Sequence, residues 1–263
     1  MSPKILFITQ DDPFYVKIFF KEFFEIYKEI GSIKAVVIAR AMGKKSMVQL
    51  AKQMYDFYGF FNFLRMGFRF VGYKVNGLGL PFLPNRGAFT LNRLCRKHNV
   101  PVMHESRINS SPFLQKVREM GIDLIISVAA PVIFKEELIK IPRLGCINIH
   151  NGMLPKYRGM LPNFWQMYHD EKAAGITIHE INPRIDDGRI IAQMEAPIEP
   201  HDTLDSLIRK TKRSGAQLMK KTIGEIESHS ATYRENRVED GSYFSFPTRE
   251  DVLEFRRRGK KIM

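Results

Sequence analysis

The sequence predicts an open, mostly parallel, doubly wound α/β sheet. Short β-rich apolar runs recur along the chain, and helical apolar spacing fills the stretches between them. The runs are apolar at nearly every position, which implies strands buried on both faces. A chain of 263 residues buries a large fraction of the surface its unfolded form exposes, so one large domain, or one with a small appendage, needs no disulfide or metal. The two cysteines, Cys95 and Cys146, form no Cys-x-x-Cys pair, and MSPKILFITQ begins directly with a strand pattern rather than an export signal. Both features imply a reducing, cytoplasmic setting.

In chain order, KILFIT (4–9) and IKAVVIA (33–39) are strand-like, and FYVKIFFKEFFEIYKEI between them repeats its apolar residues every three or four positions, a β-α-β unit. PVMHES (101–106), DLIISVA (123–129) and GCINIH (145–150) continue the strands, with helical patterns at 87–99, 111–120 and 135–140. GITIHEINPRIDDGRIIAQMEAPI (175–198) predicts two strands joined by a loop that holds Asp186, Asp187 and Gly188. A long helical pattern at 204–228 precedes the last stretch, 229–263. The domain expectation is a catalytic unit over 1–203, interrupted by an aromatic-rich helical insertion at about 41–86, and a C-terminal helix with a basic tail over 204–263.

In such sheets ligands bind beyond the carboxyl ends of the strands. Asn148 and His150 lie at such an end, two residues apart, so both side chains leave the same face and can address one bound atom. A carboxylate in the Asp186-Asp187-Gly188 loop is in a place to reach back to His150, although Asp-Asp-Gly is good turn chemistry anywhere. The turn after the first strand, TQDDPFYV, carries no Gly-x-Gly-x-x-Gly dinucleotide fingerprint. His-Glu-x-x-His is absent and the seven histidines are scattered, which argues against a catalytic metal.

Asn148-Ile149-His150, the LPKYRG that follows at 154–159, Gly175-Ile176-Thr177 and the Asp186-Asp187-Gly188 loop resemble, in order and spacing as a set, the 10-formyltetrahydrofolate-dependent formyltransferase family. The resemblance is clearest over residues 100–200. It implies a Rossmann-like sheet, 10-formyltetrahydrofolate as co-substrate, no metal, and a catalytic trio carried here to Asn148, His150 and Asp186. It also implies a pterin slot between AAPVIF and NPRID, with Val132, Ile133, Phe134 and Arg184 as the cofactor-binding residues. The chemistry agrees: formyl transfer from a folate nitrogen to an amine passes through a tetrahedral intermediate, which needs a donor for the developing oxyanion and a group for the amine proton. Asn148 is such a donor, His150 titrates near neutrality, and Asp186 would orient His150 and favour its protonated form. Lys156, Tyr157 and Arg158, in the loop beside His150, are the expected substrate-binding residues. The alternative for Arg158 is a structural tie to a neighbouring carboxylate.

The net charge of +13 calls for an anionic partner. Purine-pathway members of the family carry a glycine-containing phosphate loop after the first strand, which TQDDPFYV lacks. Initiator-tRNA formyltransferases carry a further β-barrel of roughly a hundred residues, for which 229–263 is too short. A nucleotide-linked amino sugar, with phosphates and a free amine, is the expected acceptor, in polysaccharide biosynthesis. A methionyl-tRNA formyltransferase-like enzyme, with nucleic acid as partner, and a non-catalytic folate- or RNA-binding member are the alternatives. In the insertion, the uncharged piece Phe57 to Leu64 is far short of the roughly 20 residues a membrane span needs. It is expected to pack on the sheet or form a homodimer face, the alternative being an interfacial helix in peripheral contact with a membrane. RRRGKK (256–261) is expected to be a solvated tail, or else part of an RNA or membrane footprint.

Overall fold

The structure, a computed structural model, describes residues 2–40, 46–77 and 90–263. Of the insertion expected at 41–86, residues 41–45 and 78–86 lie outside the described residues, as do 87–89 of the helix expected at 87–99. Strand β1 (Ile5–Thr9) is followed by helix α1 (Val16–Ile26), strand β2 (Ile33–Ala39) and the two insertion helices α2 (Met47–Tyr58) and α3 (Phe60–Gly77). Next come α4 (Leu91–Lys97), β3 (Val102–Glu105), α5 (Ser111–Glu119), β4 (Leu124–Val128), α6 (Glu136–Ile139) and β5 (Cys146–His150). The remainder is β6 (Arg158–Gly159), α7 (Pro162–Tyr168), β7 (Ala173–Glu180), β8 (Ile190–Pro197), α8 (Leu204–Glu227), β9 (Tyr243–Phe244) and α9 (Arg249–Arg257).

Among the described residues the main sheet has the order β3-β2-β1-β4-β5-β7-β8. Neighbours from β3 to β5 pair in parallel, while β7 runs antiparallel to both β5 and β8. The continuous apolar runs follow from burial on both faces. Ile5 and Phe7 of β1 enter a core shared with α1, α4 and α8, whereas Leu6 and Ile8 enter a second core shared with α5 and α6. Helix α1 supplies Phe19, Phe20, Phe23 and Phe24 at helical spacing and packs against α8. Strand order reverses between β1 and β4, which opens a crevice beyond their carboxyl ends.

The C-terminal segment is built into the fold. β9 pairs in parallel with β6, and Phe255 of α9 stacks on Phe164 of α7 with ring centroids 4.6 Å apart, in a third core that also takes in Phe57 of α2. Part of the basic run expected as a solvated tail is tied down: Arg256 donates to the Phe57 carbonyl at 3.1 Å, Arg258 to the Tyr168 carbonyl at 2.9 Å, and Lys260 meets Asp170 at 2.5 Å. Because Phe255 is fully buried, Phe255→Ala is expected to lower unfolding free energy by about 3–5 kcal/mol in urea denaturation. A loss below about 1 kcal/mol would show that α9 is not part of the core.

Candidate active site

The alternation that buries β5 on both faces also aims its polar residues. Ile147 and Ile149 enter the first core and Cys146 the second, so Asn148 and His150 leave the face of Cys146, just where that second layer ends. The sheet register sets their neighbours: Asn148 lies opposite Ser127 of β4 on one side and His179 of β7 on the other, and His150 lies opposite Thr177. Asn148 Nδ2 donates to His179 Nε2 at 3.1 Å, and His179 Nδ1–H donates to the Glu180 carbonyl at 2.7 Å. This chain fixes the amide of Asn148 and leaves its second hydrogen for a ligand oxygen.

His150 is buried, and its Nε2–H donates to the Tyr157 carbonyl at 2.7 Å. A Cβ at Gly152 would lie 2.7 Å from that nitrogen and 2.8 Å from that oxygen, so the hydrogen bond requires glycine there. The bond leaves Nδ1 as the nitrogen that exchanges a proton, and Nδ1 lies 3.5 Å from Asp186 Oδ2. Burial pushes the imidazole below its ordinary value, the Asp186 carboxylate partly opposes this, and His179 and the buried Lys212 add a small push downwards. Lys212 itself is lowered to about 8 by burial.

Asp186 joins these groups. Its Oδ2 accepts the Gly159 N–H at 3.0 Å and its Oδ1 lies 3.6 Å from His179 Nε2. Burial alone would raise this carboxyl, but His150, His179 and Gly159 together hold it well below the usual carboxylate range, so it is anionic. Its backbone is left-handed (φ +50°), uncommon for a residue with a Cβ, and Asn236 Nδ2 secures its carbonyl at 2.9 Å. Two residues on, a Cβ at Gly188 would come 1.9 Å from the Glu180 carbonyl oxygen, so the loop closes onto β7 only with glycine there.

A cleft of about 380 Å³ opens beside these residues, lined by Ser127, Asn148, His179 and Asp186 at its polar end. Val132, Ile133, Phe134 and Arg184, expected from the sequence to meet a pterin, all line its walls, together with Ala130, Pro131, Ile181 and Ile185. Asn109 holds the first wall in shape, donating to the Ile133 carbonyl and accepting from the Lys135 N–H. Lys156, Tyr157 and Arg158 are not among the cleft-lining residues. Lys156 is exposed, Tyr157 packs its ring on Phe244 and donates its hydroxyl to Glu171 at 2.6 Å, and Arg158 Nε is buried without a partner. Among the described residues no group of three or more His, Cys, Asp and Glu is placed to hold a metal ion.

His179, Ser127 and Asn236 are absent from the sequence expectations. The alternation Gly175, Thr177, His179 within an apolar run was the available signal for His179, but the register that seats it against Asn148 is not written in local sequence. In an NMR titration, His150 is expected to change charge below the usual 6.5. Asp186→Asn should move that midpoint lower still, because it removes the carboxylate that favours the imidazolium. A rise in the variant would contradict the geometry.

Residues 89–223 match the family model described as formyl transferase. The chain is 33% identical over 148 residues to the bifunctional polymyxin resistance protein ArnA of Wigglesworthia glossinidia brevipalpis, covering 56% of this chain and 23% of that protein. It is 32% identical over 154 residues to the methionyl-tRNA formyltransferase of Enterococcus faecalis, covering 59% and 49%. The chain thus spans about half the length of that relative and less of ArnA. In fold it is similar to the N-formyltransferase of Helicobacter canadensis in complex with folinic acid and dTDP-3-aminofucose, with TM-score 0.57, 18% identity and coverage of 93% and 71%. With its mostly parallel sheet and the match over residues 89–223, the chain belongs to the formyl transferase family.

Proposed function

We propose that the protein moves a formyl group from 10-formyltetrahydrofolate to the amine of a nucleotide-linked amino sugar. The observation that carries this reading is the placement of Asn148 and Asp186 at the polar end of an apolar-walled cleft, with His150 buried just behind, its Nδ1 3.5 Å from Asp186 Oδ2. The apolar walls suit a flat pterin, and the polar end suits the formyl group. In the proposed step the amine nitrogen attacks the formyl carbon. Asn148 donates to the developing oxyanion, and His150 Nδ1 takes the amine proton beside the Asp186 carboxylate. The bond from the formyl carbon to N10 then breaks and N10 takes up a proton. A buried imidazole with a depressed pKa is neutral at pH 7 and so ready to act as the base.

Two observations support the sugar acceptor. A second cleft, of about 580 Å³, lies beyond the ends of β1, β2 and β3, lined by Arg40, Lys74 and His104 beside Asp11 and Glu105, with Lys74 paired to Asp11 at 3.2 Å; its size suits a nucleotide. Lys74 comes from the insertion helix α3. Solved structures similar in fold include sugar N-formyltransferases. A methionyl-tRNA acceptor is favoured instead by the sequence relatives and by the +13 charge.

Incubation with 10-formyltetrahydrofolate and a panel of amino-sugar nucleotides, read by tetrahydrofolate release, is expected to show turnover. Initiator tRNA should bind weakly, salt-sensitively and unproductively. Efficient tRNA formylation, falling steeply on a log-log salt plot, would overturn the sugar reading. Asn148→Ala, His150→Asn and Asp186→Ala should each lower kcat by about a hundredfold or more while folding normally. Near wild-type turnover in these variants would refute the assignment of the site.

A further inference from the structure

We propose that the α2–α3 insertion is a docking surface for an anionic lipid bilayer, with the aromatic outer face of α3 entering the headgroup region and neighbouring arginines meeting lipid phosphates. This proposal does not depend on the acceptor or on the catalytic assignment.

Helix α3 is apolar on two sides. On the inner side Met66 and Tyr73 are buried, the Tyr73 hydroxyl donates to Asp11, and Arg69 lies 5.7 Å from the Phe14 ring centroid and 3.9 Å from Asp205. These contacts already fix the helix to the body of the protein, so the outer side is not needed for folding. On that outer side Phe61 (83% exposed), Leu64 (44%), Phe68 (76%) and Val71 (59%) follow one another at spacings of three, four and three residues. They form one stripe along the helix. Isolated exposed apolar side chains are ordinary, whereas a contiguous stripe marks an interaction surface.

The charge around the stripe selects its partner. From Gly59 to Gly77 the sequence contains no Asp or Glu, and Arg65 is exposed beside Leu64. Arg256 donates to the Phe57 carbonyl and lies against Gly59, at the α2–α3 turn immediately before Phe60 and Phe61. Arg257, next in the chain, has 76% of its side chain exposed and lies 3.6 Å from Glu254, a surface pair that leaves its other guanidinium nitrogens free for a phosphate. The aromatic insertion and the C-terminal basic run, far apart in sequence, therefore meet. In a two-fold dimer built on this face the stripe would oppose itself, bringing Arg65 of each copy near the other with no acidic residue on α3 to offset them. An anionic bilayer satisfies the aromatic side chains and the arginines together. The contact is peripheral: among the described residues no helix is long and apolar enough to cross a membrane.

The test is flotation of the full chain with phosphatidylcholine vesicles, with and without phosphatidylglycerol, across a salt series. Binding is expected to the anionic vesicles only and to weaken as salt rises. Phe61→Ser combined with Phe68→Ser, and separately Arg65→Glu combined with Arg257→Glu, should each lower the partition coefficient by about tenfold or more. Circular dichroism should not change, because all four side chains are exposed. Absence of enrichment on anionic vesicles, or wild-type partitioning of the double serine variant, would overturn the proposal. So would a wild-type dimer in sedimentation that the serine variant converts to monomer, which would assign the face to a second copy.

Discussion

One buried carboxylate governs the geometry of the site. Asp186 accepts the Gly159 N–H, His150 Nδ1 and His179 Nε2 lie 3.5 and 3.6 Å from its oxygens, and its own carbonyl is held by Asn236. A charge removed from water is tolerated only when such partners surround it. Each partner comes from a different element: His150 from β5, His179 from β7, Gly159 from β6 and Asn236 from the stretch after α8. These contacts therefore link the sheet end, the loop before β8 and the C-terminal segment at one point. The β6–β9 pairing and the hydrogen bond from Tyr157 N–H to Ser242 Oγ reinforce that link.

The sheet makes the arrangement possible through its two-residue period. Along β5 one face stays apolar with Ile147 and Ile149, while the other passes from Cys146 to Asn148 and His150 as the covering layer of α5 and α6 ends. Polar side chains appear where the sheet loses its cover, so the register that packs the core also directs Ser127, Asn148 and His179 into the cleft. The same period aligns Ser127, Asn148 and His179 as a row across three strands. His179 then holds Asn148, and the Glu180 carbonyl holds His179.

The strands, the main helices and the parallel character of the sheet were legible in sequence because strand and helix periodicities are local properties. For the same reason Asn148 and His150 could be paired on one face. The loop of Asp186 was visible as turn chemistry, but its closeness to both imidazoles depends on Gly188 meeting the Glu180 carbonyl, a long-range fact of chain tracing. Asn236 was not legible: it lies 50 residues beyond Asp186, in a stretch without regular periodicity. Tyr157 shows the converse limit. Its place in the LPKYRG loop suggested a ligand contact, whereas the structure uses its carbonyl to fix the His150 tautomer and its ring to fill the third core. The basic run at 256–261 looked like a free tail because its partners, Phe57, Tyr168 and Asp170, are remote in sequence.

These constraints yield a cleft with apolar walls and a polar end formed by Ser127, Asn148, His179 and Asp186, with His150 buried beside Asp186. The most direct measurement is a crystal structure of the protein with 5-formyltetrahydrofolate bound. The pterin is expected between the walls formed by residues 130–134 and 181–185, with the formyl carbon beside Asn148 and His150. A pterin seated elsewhere, or a formyl group turned away from Asn148, would contradict the role given to the Asp186-centred site.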